Sequence, residues 1–183
     1  MTRSFPKLMT LLLVTALLYG CASMKPEDYK DSGPALNLED YFTGQVRAWG
    51  IFQDRSGKIR RQFTVDIKGY MDGEELVLEE DFVYQDGEES RRVWRLTRLD
   101  EHHYEGRADD VDGVATGVLY GQAFNFRYTL FLEVGERTWR VNFNDWMFMH
   151  EDGVLVNRAE MSKFGIRLGE VTLFFKKDSE DGS

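Results

Sequence analysis

The feature that most constrains the fold is a series of glycine-marked turn signals that recur at near-regular spacing along most of the chain. In order, they are 54–57, Asp72-Gly73, Asp86-Gly87, Asp112-Gly113, Gly135-Glu136, Asp152-Gly153 and Gly165. Asp-Gly pairs supply the positive φ that tight hairpin turns require. Turns of this kind, repeated along the chain, are typical of strands joined as hairpins. The sequence therefore predicts an all-β protein.

Apolar and polar residues alternate between the turns, as expected for strands with one buried face. One apolar face is predicted to include Ile59, Phe63, Val65 and Ile67, and a second to include Phe124, Phe126, Tyr128, Leu130 and Leu132. With less strict patterns included, about ten strands are predicted, over 45–53, 59–67, 76–84, 91–99, 103–111, 114–121, 124–134, 139–149, 154–162 and 166–175. A short helix is predicted within 36–42.

Consecutive hairpin-linked strands, each with one apolar face, must either curl into a barrel or pack as two sheets. Closure removes the exposed edge strands. We therefore predict a single-domain antiparallel meander β-barrel of the lipocalin-like kind, with a sandwich as the alternative. Inward-facing aromatic residues would either fill this barrel or line a cavity. The candidate lining residues are Phe63, Phe124, Phe126, Tyr128, Phe143 and Met147.

The N-terminus has the pattern of a lipoprotein signal peptide. Arg3 and Lys7 precede an apolar run over 8–18. This run is shorter than the roughly 20 residues of a membrane-spanning helix but typical of a secretory signal. The run ends in Leu18-Tyr19-Gly20-Cys21, which resembles a bacterial lipobox. The resemblance implies cleavage before Cys21, a diacylglycerol thioether on its sulfur, and a fatty acid such as palmitate on the new amino group.

This pattern sets the predicted organisation and location. The predicted segments are a signal peptide over 1–20, the lipidated cysteine and a flexible tether over 21–38, the barrel over 39–177 and a disordered acidic tail over 178–183. Ala22 and Ser23 follow Cys21, where an Asp would imply retention in the inner membrane. The expected location is the periplasmic leaflet of the outer membrane of a Gram-negative bacterium, with the membrane as partner through Cys21.

Several sequence motifs along the chain are together similar to those of one family. They include Trp49-Gly50-x-Phe52, Arg92-x-Trp94, Asn144-Asp145-Trp146-Met147 and, between Asn157 and Gly165, Asn-Arg-Ala-x-Met-x-Lys-Phe-Gly. The chain resembles the DUF3833 proteins, proteobacterial lipoproteins of unknown function, from about Cys21 to Lys176. The resemblance implies no established activity, cofactor or catalytic residue.

The remaining patterns exclude several functions. A net charge of −9 and a pI near 4.9 argue against nucleic acid as a partner, because phosphate binding needs a basic surface. His102, His103 and His150 lack the spacing of metal ligands, and neither a G-x-S-x-G elbow nor a glycine-rich phosphate loop is present. No catalytic, metal-binding or cofactor-binding residue is predicted, and a non-enzyme is expected. Acidic runs such as 79–81 are interpreted as solvated surface.

One charged residue interrupts an otherwise apolar strand face. Asp145 lies on the apolar face of the strand predicted at 139–149. If Asp152-Gly153 forms a two-residue hairpin, Asp145 faces Glu160 and lies diagonal to Arg158. The cluster is then either a ligand anchor or an ion pair that fixes the strand register. A bulge that turns Asp145 outward is a third reading.

The opposite face of the same strand carries Trp146 and is also apolar, so the hairpin is expected to be covered on both sides, with 36–42 as the cover.

Two functional hypotheses follow. The first is binding or carriage of an amphiphilic small molecule, such as a lipid or fatty acid. The alternative is a non-enzymatic envelope interaction or maintenance protein with a filled barrel. A cavity of several hundred Å³ favours the first hypothesis and a packed interior the second.

Overall fold

The computed structural model describes residues 24–177, in which ten antiparallel strands close into one barrel. Each strand pairs with its neighbours in sequence, and β1 pairs with β10. The strands are β1 (Gly44–Asp54), β2 (Ile59–Asp72), β3 (Glu75–Tyr84), β4 (Glu89–Arg98), β5 (His103–Arg107), β6 (Ala115–Tyr120), β7 (Ala123–Val134), β8 (Arg137–Met149), β9 (Val154–Lys163) and β10 (Ile166–Lys177). The predicted ten-strand meander barrel is confirmed. The predicted signal peptide, Cys21 and the acidic tail lie outside the described residues.

A short helix, α1 (Leu38–Phe42), closes one end of the barrel. Its terminal residues, Leu38 and Phe42, are both buried, and the Tyr41 hydroxyl donates to the Gly153 carbonyl at 3.1 Å. Gly69 permits this closure, because a Cβ at that position would lie 1.9 Å from the Phe42 carbonyl oxygen. None of the helices within residues 24–177 has the length and apolar character needed to cross a membrane.

The segment before α1 packs on the outside of the barrel. It contains a 3-10 helix, Pro26–Tyr29, and its Leu36 N–H donates to the Gly121 carbonyl at 2.9 Å. The Tyr29 ring lies 6.3 Å from the Trp146 ring, between centroids. The predicted flexible tether is therefore wrong for its described part. The outer face at Trp146 is covered as expected, but by Tyr29, because 38–42 is used to close the barrel.

Two inward-facing glycines shape one side of the interior. A Cβ at Gly106 would lie 2.6 Å from the Phe126 ring, and one at Gly117 would lie 2.5 Å from the Phe124 ring. Because glycine has no side chain, the Phe126 and Phe124 rings of β7 can lie directly against the backbone of β5 and β6. The aromatic side chains are thereby held against the wall and do not fill the centre.

Ile59 does not join the predicted inward face of β2 and is 47% exposed. The pairing of β1 with β2 changes from Phe52 opposite Arg61 to Gln53 opposite Ile59. Arg60 is therefore an extra residue in a β-bulge, and an extra residue ends the alternation of faces. The inward face of β2 starts at Arg61 and continues through Phe63.

Candidate ligand-binding cavity

The barrel encloses a cavity of about 870 Å³. The cavity extends from Leu38 and Phe42 of α1 to Glu88 and Gly135, which lie in turns at the opposite end of the barrel. All six residues predicted to line a cavity do line it: Phe63, Phe124, Phe126, Tyr128, Phe143 and Met147. The interior is therefore hollow, and its wall is predominantly apolar.

An aromatic cluster forms the central part of the wall. The Trp94 ring lies 5.2 Å from both the Phe126 and the Tyr128 rings, in edge-on arrangements. Tyr128 is stacked on Phe143 with 5.1 Å between ring centroids. Such contacts hold flat rings in fixed positions. The result is a rigid surface against which an apolar ligand could pack.

The β8–β9 hairpin differs from its predicted register. Glu151–Gly153 forms a three-residue 3-10 turn, and Asp145 therefore pairs with Ala159 and not with Glu160. Because side chains alternate between faces, a one-residue change of register exchanges the inward and outward faces of β9. The prediction that Arg158 and Glu160 join Asp145 is wrong.

Arg158 and Glu160 instead lie on the outer face of the barrel. The Arg158 side chain is 69% exposed and pairs with Glu170 at 2.7 Å. Glu160 lies 3.6 Å from Arg167 on the same surface. The inward position that the changed register brings next to Asp145 belongs to Asn157, which has 0% exposure.

Asp145 faces the cavity and is 5% exposed. The Tyr128 hydroxyl donates to its Oδ2 at 2.9 Å, and the Asn157 amide donates to the same oxygen at 3.4 Å. Its Oδ1 and the Asn157 Oδ1 are both buried, and neither has a hydrogen-bond partner within residues 24–177. Buried polar atoms are nearly always paired, so two adjacent unpaired acceptors beside a cavity mark a candidate binding site.

Burial raises the pKa of Asp145 from 3.8 to about 7, against the opposing effects of Tyr128, Asn157 and the positive charge of Arg92. Burial and the neighbouring Asp145 also raise the pKa of Tyr128 well above 10. The Tyr128 phenol therefore stays protonated as a hydrogen-bond donor, while Asp145 titrates near neutral pH.

Arg92 and Asp110 form a second polar pair in the cavity. The guanidinium of Arg92, on β4, donates to both carboxylate oxygens of Asp110 at 2.7–3.1 Å. Burial by itself would lower the pKa of Arg92, but the ion pair with Asp110 and the negative charge of Glu80 keep it above its usual value. Arg92 is therefore charged, and its Nε and Nη2 donate to Asp110.

Asp110 reaches this position because β5 ends early, at Arg107. The chain then turns across β7, where the Asp110 carbonyl accepts from the Phe131 N–H at 2.9 Å and Val111 forms an isolated bridge with Leu130. The predicted strand over 103–111 is thus shorter than expected. Its last residues form a loop that brings a carboxylate opposite Arg92.

Glu80 is a third acidic residue in the cavity. It pairs across the β3–β4 ladder with Arg92 and lines the cavity. Burial raises its pKa to about 7, Arg92 opposes this rise, and the negative charges of Asp110 and Asp145 add to it. The interpretation of 79–81 as solvated surface holds for Asp81, which is exposed, but is wrong for Glu80.

The open end of the cavity has a polar rim. The Arg61 guanidinium lies 3.6 Å above the Tyr84 ring and donates to Glu88 at 2.8 Å. The Lys163 ammonium lies 4.2 Å from the Trp139 ring centroid. Charged groups are therefore available at the mouth, whereas α1 closes the other end with apolar residues.

Comparison with known proteins identifies the family. The model of a protein family of unknown function, DUF3833, matches residues 15–177. The chain belongs to the DUF3833 family. The fold of this DUF3833 protein is similar to that of the S-type phycobiliprotein lyase of Guillardia theta, with a TM-score of 0.54 and 9% sequence identity over 86% of this chain and 100% of the lyase chain. This similarity shows a lipocalin-like barrel. A search of curated proteins gives no match.

Sequence reasoning missed four polar residues of the DUF3833 cavity: Glu80, Arg92, Asp110 and Asn157. Arg92 and Glu80 carried a usable signal, because each alternates with apolar residues on one strand face, Arg92 with Trp94 and Leu96. Asn157 required the correct hairpin register, and Asp110 lies in a loop, where alternation gives no information. Among residues 24–177, no group of three or more His, Cys, Asp or Glu is arranged to hold a metal ion.

Proposed function

We propose that this DUF3833 barrel is a non-enzymatic binding protein that holds an amphiphilic small molecule in its cavity. The observation that carries the proposal is an interior of about 870 Å³, which lies within the usual range of ligand sites, roughly 300–1,000 Å³. Its wall is mostly aromatic and aliphatic, with a few polar groups at defined positions. That combination suits a ligand with an apolar body and one polar group.

The rival hypothesis of a filled barrel is less compatible with this interior. Filling would require inward aromatic rings to meet across the centre, whereas Phe124 and Phe126 lie back against Gly117 and Gly106. Two unpaired buried acceptors, on Asp145 and Asn157, would also be costly in an interior that no ligand enters. Both features favour a binding role.

A cavity-filling substitution tests the proposal. Ala159→Phe places a ring in the cavity from a buried position on the inner face of β9, and should weaken binding of a twelve-carbon amphiphile at least about tenfold. Calorimetric titration of the full chain measures the dissociation constant. The matched control is Val156→Phe, which places the same ring on the outer face of the same strand. Equal binding by both variants would contradict the proposal.

We also propose that a lipid on Cys21 holds the barrel at the periplasmic leaflet of the outer membrane. The support is the apolar run over 8–18, which is followed after Tyr19 and Gly20 by this cysteine. Cys21→Ser should move the protein from the membrane fraction to the soluble fraction, or leave it as unprocessed precursor. Wild-type levels of the Cys21→Ser chain in the outer membrane would contradict the anchor.

A further inference from the structure

The polar end of the ligand can be inferred from the atoms that the cavity leaves without partners. The unpaired Asp145 Oδ1 is a carboxylate oxygen, and the unpaired Asn157 Oδ1 is an amide oxygen. Both accept hydrogen bonds when Asp145 is ionised. Since 5% and 0% of these two residues are exposed, both oxygens are shielded from bulk solvent. A ligand that satisfies both atoms must donate hydrogen bonds.

The charges of the cavity narrow the choice of donor. Three carboxyl groups, on Glu80, Asp110 and Asp145, line the cavity together with Arg92 in its middle section. The Arg92 guanidinium is already engaged by Asp110 in a pair with three hydrogen bonds. Within residues 24–177, neither Glu80 nor Asp145 forms a salt bridge, and Arg92 acts on both only from a distance. A positively charged ligand group inside the cavity would neutralise the carboxylates of Glu80 and Asp145.

We propose that the ligand is a cationic amphiphile whose head group is an amine with N–H donors, held by Asp145 and Asn157. This inference rests on the proposed function. Hydrogen bonds between a charged donor and a carboxylate are about twice as strong as neutral ones. Toward the mouth, the cavity wall is apolar and can hold the body of the ligand, with Phe63, Phe82, Leu132, Trp139 and Met161 as lining residues.

An anionic amphiphile such as a fatty acid fits this site poorly. Its carboxylate would have to compete with Asp110 for Arg92, and it would place another negative charge near Glu80 and Asp145. Like charges at close range in a partly desolvated site repel strongly. A neutral alcohol can donate one hydrogen bond but leaves both carboxyl charges uncompensated. The expected order of affinity is therefore amine, alcohol, fatty acid.

Binding of the amine should strengthen as the pH rises from about 6 to about 8. Asp145 is faced by Tyr128 from β7, Asn157 from β9, Arg92 from β4 and Glu80 from β3, with Asp110 behind Arg92. Burial raises the pKa of Asp145 and that of Glu80 to about 7. An alkylamine stays protonated throughout this interval. Ionisation of Asp145 and Glu80 strengthens binding of the ammonium group. The pH dependence of amine binding therefore reports this ionisation.

The test is a titration of the full chain with dodecylamine, dodecanol and dodecanoate at submicellar concentrations, near pH 8 and near pH 6. Dodecylamine should bind at least about tenfold more tightly than dodecanol near pH 8, and dodecanoate most weakly. Asp145→Asn should remove most of the amine preference and its pH dependence. The matched control is Asp81→Asn on the outer face of β3, which should leave both unchanged.

The outcomes separate the inference from the function on which it rests. Dodecanoate binding as tightly as dodecylamine, or an amine preference that persists in Asp145→Asn, would overturn the cationic head group while leaving amphiphile binding intact. Failure of all three compounds to bind would overturn both. Circular dichroism melts of each variant show whether a loss of binding accompanies a loss of fold. Should Asp145→Asn not fold, Glu80→Gln provides the second test, with a reduced pH dependence expected.

Discussion

Replacing Arg92 with methionine is expected to lower the free energy of unfolding by about 2–3 kcal/mol near neutral pH. The substitution leaves Asp110 without its three hydrogen bonds from the guanidinium. It also removes the positive charge that lowers the pKa of both Glu80 and Asp145. Glu80, Asp110 and Asp145 would then lose the cation that lies among them, and leaving a desolvated carboxylate unpaired costs more than losing an exposed ion pair.

Arg91→Met is the matched control, because Arg91 precedes Arg92 on the same strand and faces outward. Its guanidinium contacts Glu79 at 2.7 Å and Asp81 at 3.0 Å, but the side chain is 53% exposed. Loss of an exposed pair should cost only about 0–1 kcal/mol. Urea unfolding measures both values. Equal costs for the two substitutions would contradict the assignment of Arg92 to a partly buried ion pair.

Replacing Asp145 with asparagine is expected to stabilise the ligand-free protein above neutral pH. Burial raises the pKa of this carboxyl from 3.8 to about 7, so the native state binds more protons than the unfolded state between these values. The contribution of Asp145 to the free energy of unfolding of the wild type therefore falls as the pH rises from about 4 to about 7. The full effect of such a pKa difference is about 4 kcal/mol. The asparagine side chain has an amide oxygen that can accept the hydrogen bond from the Tyr128 hydroxyl, and it carries no charge.

The expected gain of Asp145→Asn is therefore about 2–4 kcal/mol near pH 8 and close to zero near pH 4. Urea unfolding at several pH values in the absence of ligand measures this difference. Asp81→Asn, at an exposed position, controls for the loss of one negative charge from an acidic protein. A gain that does not depend on pH, or destabilisation near pH 8, would show that Asp145 is not a desolvated acid.

The meander barrel was predictable because two independent local signals agree. Glycine-marked turns set the ends of the strands, and alternation in segments such as 124–134 set the inward face. The six aromatic and Met positions predicted to line a cavity follow directly from that alternation. Whether the interior would be hollow did not follow, since it depends on long-range packing such as Phe126 against Gly106.

The polar site was predictable only in part. Asp145 was identified because a charge on an apolar strand face is conspicuous, but its partners depended on the length of one turn. A two-residue turn would place Arg158 inside, whereas the observed three-residue turn, Glu151–Gly153, places Asn157 there. Sequence alternation repeats every two residues, so an error of one residue in a turn inverts the face of the next strand.

Intermolecular nuclear Overhauser effects between dodecylamine and the methyl groups of the protein test the central claim most directly, because they show where the ligand lies. The cavity account predicts contacts from the alkyl chain to Leu130, Leu132 and Val141, which line the interior. Contacts confined to exposed apolar side chains of the outer surface, such as Ile166 (61% exposed), would contradict it.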